Sequence, residues 1–268
     1  MVRPTPPLAA RRTALVAVLP LLTMLPLAPL RSALAETPVE QIRKAASVIP
    51  GYGPPDLIYP PCFAGRWRVT RSVAKVDTPL GESAALAVAL ARARELEGAE
   101  PRTYEARYIP IVGEDGCIAD RSFNAERRAS ALSGAPLGTY SARWEASNPN
   151  VLTLTSSDAG GRVVETKVTK RSFESPGPSA YGTSEYARIA DAGSAGVLDA
   201  IPLIRAVRLQ VRYRWAAPAG DGVAPAVDRI EGLEIEQLFD PTSTGFADLA
   251  GATPVLTTKA RLTMTRLS

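Results

Sequence analysis

Apolar and polar positions alternate with a period of two along most of this chain. Trp67, Val69 and Val73 fall on one side of the first such stretch. Arg66, Arg68, Thr70 and Ser72 fall on the other, and Arg71 interrupts the apolar side. A period of two predicts a strand with one buried and one solvated face. The clearest alternation runs over 205–215, where Val207, Leu209, Val211, Tyr213 and Trp215 oppose Arg208, Gln210, Arg212 and Arg214. The stretch 229–239 answers it, setting Leu233, Ile235 and Phe239 against Glu231, Glu234 and Glu236. A Gly/Pro-containing connection makes the two an antiparallel pair with a solvated Arg/Glu face. Each cross-strand pair there is worth about 0.2–1 kcal/mol. Further strands are predicted over 103–112, 118–128, 140–146, 151–155, 162–173, 184–189 and 255–267. Gly113-Glu114-Asp115-Gly116, Asn148-Pro149-Asn150, Gly160-Gly161 and Ser175-Pro176-Gly177-Pro178 separate them. Within the barrel one helix is expected, over 82–98, where Ala, Leu, Arg and Glu dominate, Leu86, Leu90 and Ala93 share a side, and Gly98 supplies a stop. Nine or ten strands without βαβ alternation predict a mainly β fold. Its economical form is a single antiparallel barrel with one helical insertion between the first two strands, because closure removes exposed edges.

The ends of the chain are different in kind. Residues 1–35 carry Arg11-Arg12, then an apolar run broken by Pro20, Pro26 and Pro29, then Ala33-Leu34-Ala35 before Glu36. A charged start, a short apolar middle and an Ala-x-Ala end predict a cleavable export signal. The prolines argue against a stable transmembrane helix. The paired arginines point to the twin-arginine route, with the ordinary secretory route as the alternative. Residues 36–61 open on a short helix near 39–47 and become a proline-dense, extended lead-in. Residues 62–268 are the β-barrel domain.

Charge and composition narrow the chemistry. The formal charge is +4, but Arg3, Arg11, Arg12 and Arg31 precede position 36 with no acidic residue among them. Without those four the remainder is neutral, which argues against nucleic acid and against strong electrostatic docking on an anionic membrane. The chain has no histidine and two cysteines. That excludes His-ligated haem, the common zinc sites and Ser-His-Asp hydrolysis; no metal or cofactor is expected. Cys62 and Cys117 lie in a loop and a turn. A disulfide between them suits an exported protein and would stabilise by roughly 4 kcal/mol, with two separate thiols as the alternative. There is no phosphate loop, nucleophile elbow or Cys-x-x-Cys, so a non-catalytic protein is the favoured reading.

Asp120-Arg121 with Asn124 is the densest polar group. In a strand, neighbouring residues point to opposite faces, so one of the two would face inward. It would serve either as a polar anchor in an apolar cavity or in a buried ion pair with a residue such as Glu185.

Gly65-x-Trp67 on the first strand, with Arg266 on the apolar face of the last, resembles the entry motif and closing arginine of lipocalins and the wider calycin group. That resemblance implies Arg266 packed over Trp67, with Gly65 admitting the close approach. Tyr59-Pro60-Pro61, Gly65-x-Trp67-x-Val69-Thr70, Pro79-Leu80-Gly81, Arg107-Tyr108-Ile109, Ala119-Asp120-Arg121-x-Phe123-Asn124, Asn148-Pro149-Asn150, Ser184-Glu185 and Arg266 together resemble an uncharacterised family of cyanobacteria and of plant and algal chloroplasts. The chain departs from it in the Ala-rich 82–98 insertion and at Cys62. The resemblance implies a thylakoid-lumen protein, with a cyanobacterial lumen or bacterial periplasm as alternatives. The function expected on these grounds is binding of a small hydrophobic molecule (pigment, lipid or quinone), lined by Trp67, Tyr104, Tyr108, Trp144 and Tyr213 with Asp120 and Arg121 as polar anchors. An assembly or scaffold protein of a photosynthetic membrane complex, with a filled barrel, is the first alternative. An isomerase or lyase on the same fold is the second.

Overall fold

The structure is a computed structural model that describes residues 55–82, 87–158, 161–192, 203–216, 227–239 and 251–268. The leader expected over 1–35 and the short helix expected over 39–47 lie outside the described residues. Ten strands form one sheet: β1 (Gly65–Asp77), β2 (Arg102–Pro110), β3 (Cys117–Ala119), β4 (Tyr140–Glu145), β5 (Asn148–Ser156), β6 (Val163–Gly177), β7 (Ala180–Asp191), β8 (Leu203–Trp215), β9 (Arg229–Phe239) and β10 (Leu256–Arg266). Their order is β3-β2-β1-β10-β9-β8-β7-β6-β5-β4. Every neighbouring pair is antiparallel, from Trp67↔Arg266 between β1 and β10 to Tyr140↔Ser156 between β4 and β5. The sheet curls into a half-barrel with two helices, α1 (Ala87–Leu96) and α2 (Arg121–Ser133).

Helix α1 lies between β1 and β2 in the chain. Its Leu90, Ala93 and Leu96 pack on Val73, Val76, Leu256 and Ala260, which covers the inner face where β1 ends. Glu97, just past the helix, accepts a hydrogen bond from the Val76 N–H at 2.8 Å and ties the two together.

Helix α2 corrects the strand expected over 118–128. The strand stops at Ala119, and Asp120 then caps a helix by accepting the Phe123 N–H at 3.1 Å. Gly134 ends it in the left-handed conformation with φ 71°. An Asp N-cap and a glycine just past the last turn are the ordinary bounds of a helix, and the residues between them are mostly good helix formers. Strands β3 and β4 stand at opposite ends of the sheet, and α2 joins them in the chain. Asn124 accepts the Arg107 N–H of β2 at 2.7 Å and donates to the Arg107 carbonyl at 3.1 Å. Glu126 accepts the Ala142 N–H of β4 at 2.8 Å. Side chains of α2 thus occupy backbone groups on both flanks, which protects edges that would otherwise template another strand.

Strand β9 corrects a second expectation. Its register against β8 and β10 places Ile230, Gly232, Glu234, Glu236 and Leu238 on the inner face with Tyr213, Val211 and Leu262. Leu233, expected inside, is 42% exposed, while Glu234, expected in solvent, is 1% exposed. Glu231 is outward, but it accepts from Arg229 on its own strand and from Thr263 of β10.

Candidate functional site

The concave face of the sheet is built in two layers. Where β1 begins, the lead-in and its 3₁₀ turn (Pro61–Phe63) push Tyr59 and Phe63 into the half-barrel. Tyr59 lies 4.9 Å, centroid to centroid, from Tyr108 and 5.3 Å from Tyr181; Phe63 lies 5.1 Å from Tyr213 and 5.7 Å from Trp215. Most of these rings meet tilted or edge to face, the arrangement favoured by the ring quadrupole. Gly232 of β9 makes this packing fit, since a Cβ there would sit 3.1 Å from the Leu262 Cβ and 3.4 Å from the Tyr213 ring. Burial pushes the hydroxyls of Tyr59, Tyr108, Tyr181 and Tyr213 well above the ordinary phenol range, so all four stay protonated.

Trp67 is fully buried in this layer, with its Nε1–H donating to the Phe63 carbonyl at 2.6 Å. The Arg266 guanidinium lies over its ring, 4.4 Å from the centroid. The same guanidinium donates to the carbonyls of Cys62 (2.6 Å), Ala64 (2.7 Å) and Val227 (2.9 Å). Gly65 holds φ 109°, and a Cβ there would meet Arg266 Nη1 at 3.2 Å. Both the conformation and the close approach call for glycine. The cation therefore fastens the lead-in, the first strand and the last strand to one another.

The second layer is ionic. Arg121 and Arg128 stand seven residues apart on α2, two turns along one helix face. Arg121 reaches Asp56 of the lead-in and Glu185 of β7, the latter at 2.9 Å. Arg171 of β6 meets the same Glu185 at 2.5 Å and donates to Asn150 Oδ1 at 2.6 Å. Arg128 pairs with Glu234 at 2.6 Å, and Arg71 of β1 reaches Glu234 from the other side at 2.8 Å. Burial raises the Glu234 carboxyl, but Arg128 and Arg71 outweigh it and hold the group at about 2. Burial likewise opposes ionisation of Glu185, and Arg121 and Arg171 still draw it below the usual carboxylate range. Both acids are ionised and clamped, and this part of the inner face is a mixture of rings and paired charges.

The residues singled out from sequence disperse over this frame. Trp67, Tyr108 and Tyr213 belong to the aromatic layer, with Tyr104 packed against it. Arg121 lies in the ionic layer. Asp120 does not join it: it caps α2 and pairs with Arg107. Trp144 stands half-buried on β4 with its Nε1–H 3.4 Å from the Pro149 carbonyl. Cys62 is half-buried and Cys117 fully buried, and both are free thiols. Burial pushes the Cys117 thiol up to about 12. Among the residues that sequence patterns passed over are Asp56, Arg71, Arg128, Arg171 and Glu234. The break that Arg71 makes in the apolar side of β1 was the available signal.

Two depressions lie elsewhere. One of about 520 Å³ opens among Lys75, Gln210, Ile235, Gln237 and Lys259, on the outer face of the sheet. A smaller one of about 210 Å³ adjoins Trp144. Among the described residues, no three of His, Cys, Asp and Glu gather as a metal site, and no helix is long and apolar enough to cross a membrane.

No curated protein and no solved structure matches the chain. A family model does, over residues 51–268, which takes in every described element from the lead-in to β10. The chain belongs to the family described as a domain of unknown function, DUF6816.

Proposed function

We propose that this is a non-catalytic scaffold or assembly protein with a filled, calycin-like interior, whose partners meet its outer surface. The observation that carries this reading is the occupancy of the concave face. Tyr59, Phe63, Trp67, Tyr108, Tyr181 and Tyr213 fill the position that an apolar ligand would take in an open barrel. The ion pairs of Glu185 and Glu234 fill the layer beside it. An isomerase or lyase would need an inward acid able to exchange its proton near neutral pH. A carboxylate held at about 2 by two arginines is a weak base and is not protonated to act as an acid. Kinship with calycins is part of the proposal, supported by Gly65, Trp67 and the stacked Arg266; α2 takes the place that pairing of the sheet ends would have in a closed barrel. The compartment is also proposed: export by the twin-arginine leader, removal after Ala35, and residence in a cyanobacterial or plastid thylakoid lumen.

A second reading has its own observation. Beyond the ionic layer, Leu152, Leu154, Ile189, Leu209 and Leu238 face inward by register and are only half-buried. A pigment, lipid or quinone lying against them is the hydrophobic-ligand reading. Protein purified natively from its source, denatured, and extracted with solvent for mass spectrometry decides between the two. The scaffold reading expects no apolar molecule near one per chain, and migration within a larger assembly on native gels. A stoichiometric apolar molecule would overturn it in favour of the ligand reading.

A further inference from the structure

The neutrality of the chain after Ala35 conceals a separation of charge. Inward carboxylates pair with inward arginines, and the outer face of β6–β8 carries Lys167, Lys170, Arg208, Arg212 and Arg214, of which Arg212 lies 3.6 Å from Glu174. Glu165 and Glu174 are the acidic residues among the outward positions of those three strands. The register continues the pattern onto β9, β10 and β1: Arg212 stands beside Leu233 and Leu233 beside Arg261, while Gln210 leads through Ile235 to Lys259 and Lys75. The 520 Å³ depression lies in this second row. Ile235 lines it, Gln210 and Gln237 bring amide donors, and Lys75 and Lys259 are paired across adjacent strands there, 61% and 43% exposed. The Asp77 carboxylate faces both ammonium groups, at 2.7 Å and 4.0 Å, and the cluster of two cations and one anion keeps a net positive charge.

We propose that this outer face docks on an anionic lipid surface, with the depression at Lys75 and Lys259 seating one headgroup. The inference rests on the reading that partners meet the outside of the protein, and it names the partner. Three features favour lipid over other polyanions. The cations are spread across adjacent strands about 4.8 Å apart instead of lining a groove, which suits an extended charged plane. Leu233 and Ile204, 42% and 43% exposed, sit among them and supply apolar contact at the headgroup boundary. Single-stranded nucleic acid is held by stacking on open aromatic faces, and the aromatic residue in this array is already covered: Lys170 lies 5.9 Å and Arg208 5.0 Å from the Tyr186 ring centroid.

The test is co-sedimentation of the full chain with vesicles of phosphatidylcholine alone or with about a third phosphatidylglycerol, at about 0.15 M and about 1 M salt. Any contribution of the leader is common to every variant. Binding is expected only to the anionic vesicles and only at the lower salt. The variant Arg212→Glu/Arg214→Glu/Lys259→Glu, checked for an intact fold by circular dichroism, should weaken partitioning by about 100-fold or more. Arg92→Glu/Arg143→Glu, which reverses charges on α1 and β4, should change it by less than about threefold. Lack of binding, binding that survives high salt, or equal loss in both variants would overturn the proposal. Tighter, variant-sensitive binding to polyglutamate or to a DNA oligonucleotide would overturn it in favour of that polyanion. Washing the native protein at about 1 M salt before solvent extraction strips lipid held on the outer face by charge, so the two experiments can fail separately.

Discussion

Replacing Glu234 by Gln removes the buried negative charge that Arg71 and Arg128 share. In the native protein Glu234 is 1% exposed and the Arg71 side chain 4%. Taking away Glu234 leaves the buried Arg71 without its carboxylate and Arg128 with Glu236 alone, at 3.4 Å; breaking a buried pair costs about 3–5 kcal/mol. The lowered carboxyl gives a second figure. A carboxyl moved from 4.5 when unfolded to about 2 when folded contributes about 3 kcal/mol to stability. Because its folded value is depressed, that contribution is fully present above about pH 4.5 and is lost as pH falls through the folded value near 2. Urea denaturation at steps between pH 7 and pH 3 checks both numbers. At pH 7, Glu234→Gln should lie about 3 kcal/mol or more below wild type, and the gap should narrow on acidification below about pH 4.5 as wild type loses its own carboxylate contribution. The companion variant Arg71→Met/Arg128→Leu/Glu234→Leu, which removes the three charges together and leaves Glu236 on its exposed side, should lie near wild type or above it at pH 7. A Glu234→Gln protein within about 0.5 kcal/mol of wild type, or a gap independent of pH, would refute the assignment of Glu234 as the clamped anion of the interior.

Arg266→Met should lower stability by about 3 kcal/mol and shift Trp67 fluorescence, since the carbonyls of Cys62, Ala64 and Val227 lose a charged donor together with the ring contact. Gly65→Ala should cost about 1–3 kcal/mol in thermal unfolding, from a Cβ at φ 109° pressed toward Arg266. Asp120→Ala should cost about 1–2 kcal/mol through loss of the α2 cap, and hydrogen exchange should rise first in 121–133. With its thiol pushed up to about 12, Cys117 should resist iodoacetamide at pH 8 in the folded protein, and peptide mass spectrometry should find Cys62 modified first.

Most strands were legible in the sequence because a period of two reports a half-buried sheet directly, and β8 kept every expected inner residue on its inner face. Helix α2 was misread. Ile118, Phe123 and their neighbours suggested a strand, while its true bounds were written in Asp120 and Gly134, two single residues that only a capping argument would weigh. In β9 two apolar sets compete, Leu233 with Ile235 and Ile230 with Leu238, and the alternation cannot choose between them. The choice fell to residues far along the chain. Arg71 and Glu234 are 163 positions apart, and Glu234 turns inward because Arg71 and Arg128 wait there. The sequence by itself determined where most of the strands form and that histidine chemistry is excluded, because each of these depends on local pattern or composition. The tertiary structure decided which charges are buried, that aromatic rings and ion pairs occupy part of the concave face, and that cations gather on the outer one. A charged side chain can be buried only where an opposite charge meets it, and no local pattern records a meeting across the sheet.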